Sequence, residues 1–156
     1  PRAAPPAVRG SLFFEMRTDL YSTHMQGILV VSGPVIVEKG MVLLNKHGDT
    51  SFWKFCGGRV EDFSLGLREN AAREAREEVG IELVFADRDP FFLYTQKETP
   101  DGVLDVILVH FLAERRGEVV LGPDIRESAW IPFGQLEKED LAPNILPALR
   151  HFGLLP

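Results

Sequence analysis

The chain has 156 residues, a formal net charge of −6 and a single cysteine. Its hydrophobic fraction of 45% and charged fraction of 26% are typical of a globular protein, so we expect one domain over residues 1–156. A net negative charge without a basic block argues against duplex nucleic acid or a membrane surface as partner. Because Cys56 has no partner for an intramolecular disulfide, a reducing, cytoplasmic location is favoured.

Two stretches in the first part of the chain lack the pattern of a signal peptide or of a transmembrane helix. Residues 1–10, PRAAPPAVRG, lack an apolar signal-peptide core, and we interpret them as a flexible arm. The longest apolar run, residues 27–44, is interrupted by Glu38 and Lys39 and by turn residues. It is too broken for a transmembrane helix.

Strand patterns dominate the first part of the chain. Residues 27–40 are rich in β-branched side chains around a Ser-Gly-Pro break, which predicts a strand, a turn and a second strand. Residues 41–49 predict a short strand that ends in a turn. Residues 51–56, SFWKFC, predict another strand, stopped by Gly57 and Gly58.

The hydrophobic period then changes to that of a helix. Leu67, Ala71, Ala75 and Val79 recur every four residues and form one apolar stripe. Gly80 follows as the expected C-terminal cap.

The second half of the chain returns to strands. Residues 81–86, 91–98, 103–114 and 127–133 are the candidate strands, and residues 144–155 predict a closing helix. The order of strands, helix, strands and helix predicts an α+β domain with a layered mixed sheet.

Three carboxylates crowd one side of the predicted helix. Glu74 and Glu78 are four residues apart, Glu77 lies beside them, and Arg73 precedes Glu77 by four residues. Clustered carboxylates at the rim of a core are suited to a hard divalent cation. The alternative is an ordinary salt-bridged helix face in contact with solvent.

A glycine pair ahead of the helix makes the metal interpretation more specific. Gly57 and Gly58 allow backbone to approach a ligand closely. The stretch from Gly57 to Ile81 resembles the Nudix box, G-x5-E-x7-R-E-U-x-E-E-x-G-U with U an aliphatic residue. The second half of the box matches at Arg73, Glu74, Ala75, Glu77, Glu78, Gly80 and Ile81.

The sequence departs from this pattern in the loop before the helix. Fourteen residues separate Gly58 from Arg73, one more than in the pattern, and Leu65 stands where a glutamate is expected. Glu61 or Asp62 is a candidate replacement for that glutamate. Cys56 occupies a position where the family most often has proline.

The resemblance implies a fold and a chemistry. The Nudix fold is a mixed sheet sandwiched between helices, and its enzymes hydrolyse a nucleoside diphosphate linked to another moiety X with the help of Mg²⁺, for which Mn²⁺ can substitute. By position in the motif, Glu74, Glu78 and the carbonyl of Gly57 would bind the metal. Glu77 would be a ligand or would orient one, and Arg73 would fix its position.

Other roles are less constrained by the motif. The family often places its general base on a later loop, where Glu127 and Asp124 are candidates and Glu127 is preferred. The alternative for Glu127 is a surface acid beside Arg126. Arg59 and Lys46 are candidate phosphate ligands, although such residues are more often surface charges than ligands.

The resemblance leaves the substrate and the assembly open. X can be a sugar, a second nucleotide or phosphate, and a homodimer is common in the family. A binding or regulatory module that has lost catalysis is the main alternative, because one box glutamate is missing. A glycosyl-transfer variant is disfavoured because the second half of the box is complete.

Overall fold

The computed structural model describes residues 27–156, so the predicted arm over residues 1–10 lies outside the described part. The described strands are β1 (Ile28–Glu38), β2 (Met41–His47), β3 (Gly58–Arg59), β4 (Glu82–Phe85), β5 (Phe91–Thr99), β6 (Gly102–Arg116) and β7 (Ile125–Pro132). The helices are α1 (Leu67–Val79), a 3-10 helix (Phe133–Lys138) and α2 (Ile145–His151). Within residues 27–156, no helix is both long and apolar enough to cross a bilayer.

All strands join one mixed sheet. Its central order is β4-β6-β1-β2-β7, with β3 added to β1 and β5 added to β6. The β1–β6 pair is parallel and runs in register from Ile28 opposite Asp105 to Ile36 opposite Ala113. The remaining strand pairs are antiparallel. Parallel strands need a long connection, and the segment from β2 to β5, including α1, supplies it.

The two faces of the sheet carry separate cores because successive side chains on a strand point in opposite directions. On one face, Val35 and Leu44 pack in a cluster with Leu149 of α2. On the other face, Ile36 packs in a cluster with Val79 of α1. We call these the α2 face and the α1 face. The α+β fold with helices on both sides of a mixed sheet is thereby confirmed.

Helix α1 has the bounds that its apolar stripe predicts. Ala75 and Val79 are fully buried, and Gly80 ends the helix in the left-handed conformation with φ 68°. The last carbonyl groups of α1 are bonded by a distant loop: Gly122 N–H donates to Glu78 O at 2.8 Å, and Val120 N–H donates to Val79 O at 2.9 Å. The C-terminal end of α1 is therefore held in place by the segment before β7.

The predicted turn within residues 27–40 is wrong, because β1 runs unbroken through it. The strand changes partner at that point: Ser32 pairs with β3, Val37 pairs with β2, and Pro34 lies between them. Gly33 lies against the backbone of Gly57, where a Cβ atom would not fit. Because β1 pairs with β6 from Ile28 to Ile36, the strand stays extended across the Ser-Gly-Pro stretch.

The predicted strand over residues 51–56 is also wrong. It forms only isolated bridges, Asn45 with Lys54 and Trp53 with Leu141. Trp53 and Phe55 are buried in the α2-face cluster. Alternating aromatic residues gave a strand-like period, but here the period reflects side chains that enter a core from an irregular segment.

Candidate active site

Helix α1 buries two of its three clustered carboxylates. Glu74 is 9% exposed and Glu78 is 8% exposed, whereas the side chain of Glu77 is 58% exposed. This difference follows from the apolar stripe, since Glu74 and Glu78 directly precede Ala75 and Val79 on the face that packs against the sheet. Buried carboxylates require partners.

Arg73 and Gly58 position Glu74. The guanidinium of Arg73 donates to Glu74 Oε1 at 2.5 Å and to Glu77 Oε2 at 2.7 Å, so it holds both carboxylates. A Cβ atom at Gly58 would lie 2.5 Å from Glu74 Oε2. The absence of a side chain at Gly58 lets the backbone lie directly against this carboxylate, as the sequence predicted for the glycine pair.

The two oxygens of Glu78 have different surroundings. Oε2 accepts from Gly57 N–H at 3.3 Å and from Asn45 Nδ2 at 3.4 Å, and the thiol of Cys56 also donates to this carboxylate. Oε1 faces His47 Nε2 at a distance of 3.5 Å. Burial raises the pKa of Glu78 to about 7, although the hydrogen bonds oppose the shift.

Strand β2 supplies the residues that face Glu78. Leu43 packs in the α1-face cluster, so Asn45 and His47, two and four residues later, project to the same face. Asn45 is fully buried, and its Oδ1 has no hydrogen-bond partner. His47 Nε2 is likewise buried and without a partner. Unpaired buried polar atoms are rare in proteins, so this pair of atoms requires an explanation.

Burial and neighbouring charges shift the pKa values of several side chains in the cluster. Burial raises the pKa of Glu74, and the charge and hydrogen bond of Arg73 oppose the shift. Burial also lowers the pKa of Lys54, which the charge of Glu78 opposes. Burial and the charge of Lys54 lower the pKa of His47. The site thus combines buried negative charge with a half-buried lysine beside it.

The donor atoms fit a divalent cation in kind but do not form a closed cage. Within residues 27–156, no three Asp, Glu, His or Cys side chains converge as a ready cluster. The available oxygens are the carboxylates of Glu74 and Glu78 and the unpartnered amide oxygen of Asn45. An incomplete set of oxygen donors suits Mg²⁺, which usually keeps several waters in its coordination shell.

The structure does not bring Lys46 and Glu127 to this cluster. They are cross-strand neighbours in β2 and β7, and Lys46 Nζ lies 3.2 Å from Glu127 Oε2. Lys46 Nζ also lies 4.1 Å from the ring centroid of Trp53, which belongs to the α2-face core. Both side chains therefore lie on the opposite face of the sheet from Asn45.

The loop before α1 distinguishes the two candidate replacements for the missing glutamate. Asp62 accepts hydrogen bonds from Ser64 N–H and Oγ, at 2.8 and 2.6 Å, and is exposed. Leu65 is 39% exposed. Glu61 lies close enough for its charge to act on Glu74, and Arg59, next to Gly58, is exposed. Glu61 is thus the better candidate.

Sequence reasoning missed Asn45, His47 and Lys54 and interpreted Cys56 as a small apolar residue. The signal for two of them was the alternation that starts at Leu43, which places Asn45 and His47 on the helix-facing side. Nothing in the local sequence shows that Lys54 lies near Glu78, because that proximity depends on its bridge to β2.

A cleft of about 290 Å³ opens beside the glycine pair. Its polar lining comes from Lys54, His110 and Asn144, and its apolar lining includes Val31 and Leu108. Glu74 and Glu78 do not line this cleft, which reaches the carboxylate cluster only through the backbone of Gly57 and Gly58.

Comparisons with known proteins concern the fold and the family of the chain. A family model described as NUDIX domain matches residues 28–152. The MutT protein from Methanosarcina mazei Go1 is similar in structure, with a TM-score of 0.69 and 24% identity over 84% of this chain and 96% of that one. A Caenorhabditis elegans Ap4A hydrolase has a TM-score of 0.64 and 20% identity over 80% and 95% of the two chains. The comparison with curated protein sequences finds no match.

Proposed function

The chain belongs to the NUDIX domain family, and on that basis we propose that it hydrolyses the pyrophosphate linkage of a nucleoside diphosphate linked to X, with Mg²⁺ bound along α1. Mn²⁺ is the expected substitute. The substrate is a small nucleotide, and neither duplex nucleic acid nor a membrane is involved.

One observation carries the proposal: the backbone of Gly57 and Gly58 lies directly against the buried carboxylates of Glu78 and Glu74. Two carboxylates are held close together although burial disfavours their charged forms. A cation that binds both would offset that unfavourable free energy. The metal ligands that we propose are Glu74, Glu78 and the Gly57 carbonyl.

The residues of the site have distinct tasks. A bound Mg²⁺ would neutralise phosphate oxygens and activate the attacking water. Arg73 fixes the rotamers of Glu74 and Glu77, so that Glu77 supports the site from its exposed edge. Lys54 supplies a half-buried positive charge that lines the cleft, and Arg59, next to Gly58, adds an exposed one.

The cleft beside the glycine pair is the proposed place for part of the nucleotide substrate. A volume of about 290 Å³ lies at the lower end of ordinary ligand pockets, and both polar and apolar surfaces line it. Nucleoside triphosphates, dinucleoside polyphosphates and nucleoside diphosphate sugars are the classes to test. The Ap4A hydrolase among the structural relatives makes dinucleoside polyphosphates the first class to test.

The direct test measures product release from these three substrate classes with Mg²⁺ or Mn²⁺. We expect metal-dependent turnover of one class by the wild-type protein and a loss of about a hundredfold or more in Glu78→Gln. Glu82→Gln is the matched control, because Glu82 is an exposed glutamate that pairs with Arg76. Full activity of Glu78→Gln would overturn the proposal.

A nucleotide-binding module without catalysis is the second candidate. The exposed Leu65 favours it, because the position of the box glutamate carries no carboxylate. Thermal stabilisation by a nucleotide, without turnover of any class under either metal, would support this function instead.

Two further properties belong to the same proposal. The thiol of Cys56 is buried and forms no disulfide, which is consistent with a reducing cytoplasm. A homodimer is the assembly to test, by light scattering on the full chain.

A further inference from the structure

The geometry around Glu78 points to His47 as a nitrogen ligand of the cation that binds there. The consequence is a mixed nitrogen and oxygen site, which would bind a transition-metal ion such as Co²⁺ more tightly than Mg²⁺. This inference rests on the proposed function and adds a ligand that the acidic helix motif does not contain.

The first argument is the unequal use of the two Glu78 oxygens. Oε2 is occupied by donors from Gly57 and Asn45, whereas Oε1 is directed at His47 Nε2. The separation of 3.5 Å is too long for a hydrogen bond of normal length. Two ligand atoms that each lie about 2.1 Å from one ion are about 3.0 Å apart at a right angle and further apart at wider angles. A cation therefore fits between these atoms.

The second argument is that polar atoms of β2 beside Glu78 are buried without a hydrogen-bond partner. Asn45 is fully buried, its amide touches Glu78 Oε2, and its Oδ1 has no partner. His47 Nε2 also has no hydrogen-bond partner, although that atom is shielded from water. Both residues project from one face of β2 toward one carboxylate. A cation bound between Glu78 Oε1 and His47 Nε2 would account for the unpaired nitrogen.

The identity of the added ligand determines which cation the site prefers. Mg²⁺ is selected by all-oxygen sites, and imidazole nitrogen favours later first-row metals. Among divalent ions, affinity for such a site rises from Mn²⁺ to Co²⁺. His47 should therefore contribute to the binding of Co²⁺ and contribute little to that of Mg²⁺.

Isothermal titration of the full chain with Co²⁺ and with Mg²⁺ measures this selectivity. We expect wild-type protein to bind Co²⁺ more tightly, and His47→Gln to weaken Co²⁺ binding about tenfold while Mg²⁺ binding changes by less than about threefold. His151→Gln is the matched control, since His151 is an exposed histidine on α2. Equal weakening of both ions, or of neither, would overturn the inference.

A spectroscopic measurement on the unmutated protein removes the dependence on a variant. Electron spin echo modulation of bound Mn²⁺ should show coupling to a histidine nitrogen that changes on ¹⁵N-histidine labelling. Bound Mn²⁺ without such coupling would overturn the role of His47 and leave the proposed function intact. If neither Mn²⁺ nor Mg²⁺ binds at all, the proposed function fails together with the inference.

Discussion

His110 and Glu78 are buried ionisable residues on opposite faces of one sheet, and their hydrogen-bond environments differ. His110 is 3% exposed; its Nδ1 donates to Gly33 O at 3.3 Å, and its Nε2 accepts from Asn144 Nδ2 at 2.8 Å. Glu78 has one oxygen with several donors and another that faces the unpaired nitrogen of His47. Both ring nitrogens of His110 have hydrogen-bond partners, so its hydrogen-bond environment is complete. That of Glu78 is incomplete, because Oε1 lies 3.5 Å from His47 Nε2. A complete environment indicates a structural role, and an incomplete one indicates a place for a ligand.

The same comparison appears in the direction of the pKa shifts. Burial lowers the pKa of His110 to about 4 and raises the pKa of Glu78 to about 7. Stability from His110 is therefore lost as pH falls from 6.5 toward 4, because the unfolded chain then binds the extra proton. Stability from Glu78 is lost as pH rises from 4.5 toward 7, because the folded protein then retains a proton that the unfolded chain releases.

The largest expected effect comes from creating a cavity in the core on the α2 face. Leu149 is fully buried there, so Leu149→Ala should lower the free energy of unfolding by about 2 to 5 kcal/mol. Denaturant unfolding measures it, and Leu121→Ala, at a 46% exposed position, should change stability by less than about 0.5 kcal/mol. If the two faces are independent, Mg²⁺ affinity of folded Leu149→Ala protein stays within about threefold of wild type.

The next effect isolates the charge of Glu78. In metal-free protein, Glu78→Gln should gain stability relative to wild type as pH rises from 4.5 to 8. The gain should be about 3 kcal/mol in total, because a folded pKa of about 7 replaces the usual 4.5. Paired unfolding curves across this pH range measure the difference. A difference that is independent of pH would mean that Glu78 titrates normally in the folded protein.

Saturating Mg²⁺ should change the pH dependence of stability that Glu78 contributes but not the part that His110 contributes. If the cation stabilises ionised Glu78, its destabilising contribution above pH 4.5 disappears while that of His110 below pH 6.5 remains. The stability of wild-type protein should then rise by about 2 kcal/mol or more from pH 4.5 to 6.5. Unchanged pH dependence with and without Mg²⁺ would contradict binding at Glu78.

A smaller effect tests the contact between the glycine pair and the helix. Gly58→Ala would push the carboxylate of Glu74 away, so kcat/KM should fall by about tenfold or more, which is about 1.4 kcal/mol. Gly134→Ala is the control, because nothing lies within 4 Å of the added methyl group. Steady-state kinetics on the preferred substrate decides, and equal rates for both variants would count against a role for Glu74.

The smallest effect is expected at the ion pair on the α2 face. Glu127 is half-exposed and pairs with Lys46, so Glu127→Gln should change kcat by less than about threefold and stability by less than about 1 kcal/mol. A hundredfold loss of kcat would instead restore Glu127 as the general base that the motif comparison suggested.

The helix was the most predictable part of the fold. The apolar stripe and Gly80 define both ends of α1, since helix period and capping are local properties. The family match confirms the Nudix family and the class of pyrophosphohydrolase enzyme that the box implied. By contrast, β1 and residues 51–56 were misinterpreted, because their conformation depends on β6 and on the α2-face core.

The site was only partly predictable for the same reason. The carboxylates of α1 are visible in the sequence because they share one helix. Asn45 and His47 become neighbours of Glu78 only when β2 packs beneath that helix. The position of Glu127 follows from its register opposite Lys46, which residue types along the loop do not reveal.

The parallel pairing of β1 with β6 has a consequence for the order of folding. Gly33 and His110, which meet across this pair, are 77 residues apart in the chain. Closing so large a loop is slow, because its entropic cost precedes any gain from contacts. Gly33 also lies against the backbone of Gly57. The glycine pair therefore reaches its final position only after β1 has paired with β6. Metal ions added to a refolding chain should therefore bind late, and the rate at which binding capacity appears should follow the slow step of sheet formation.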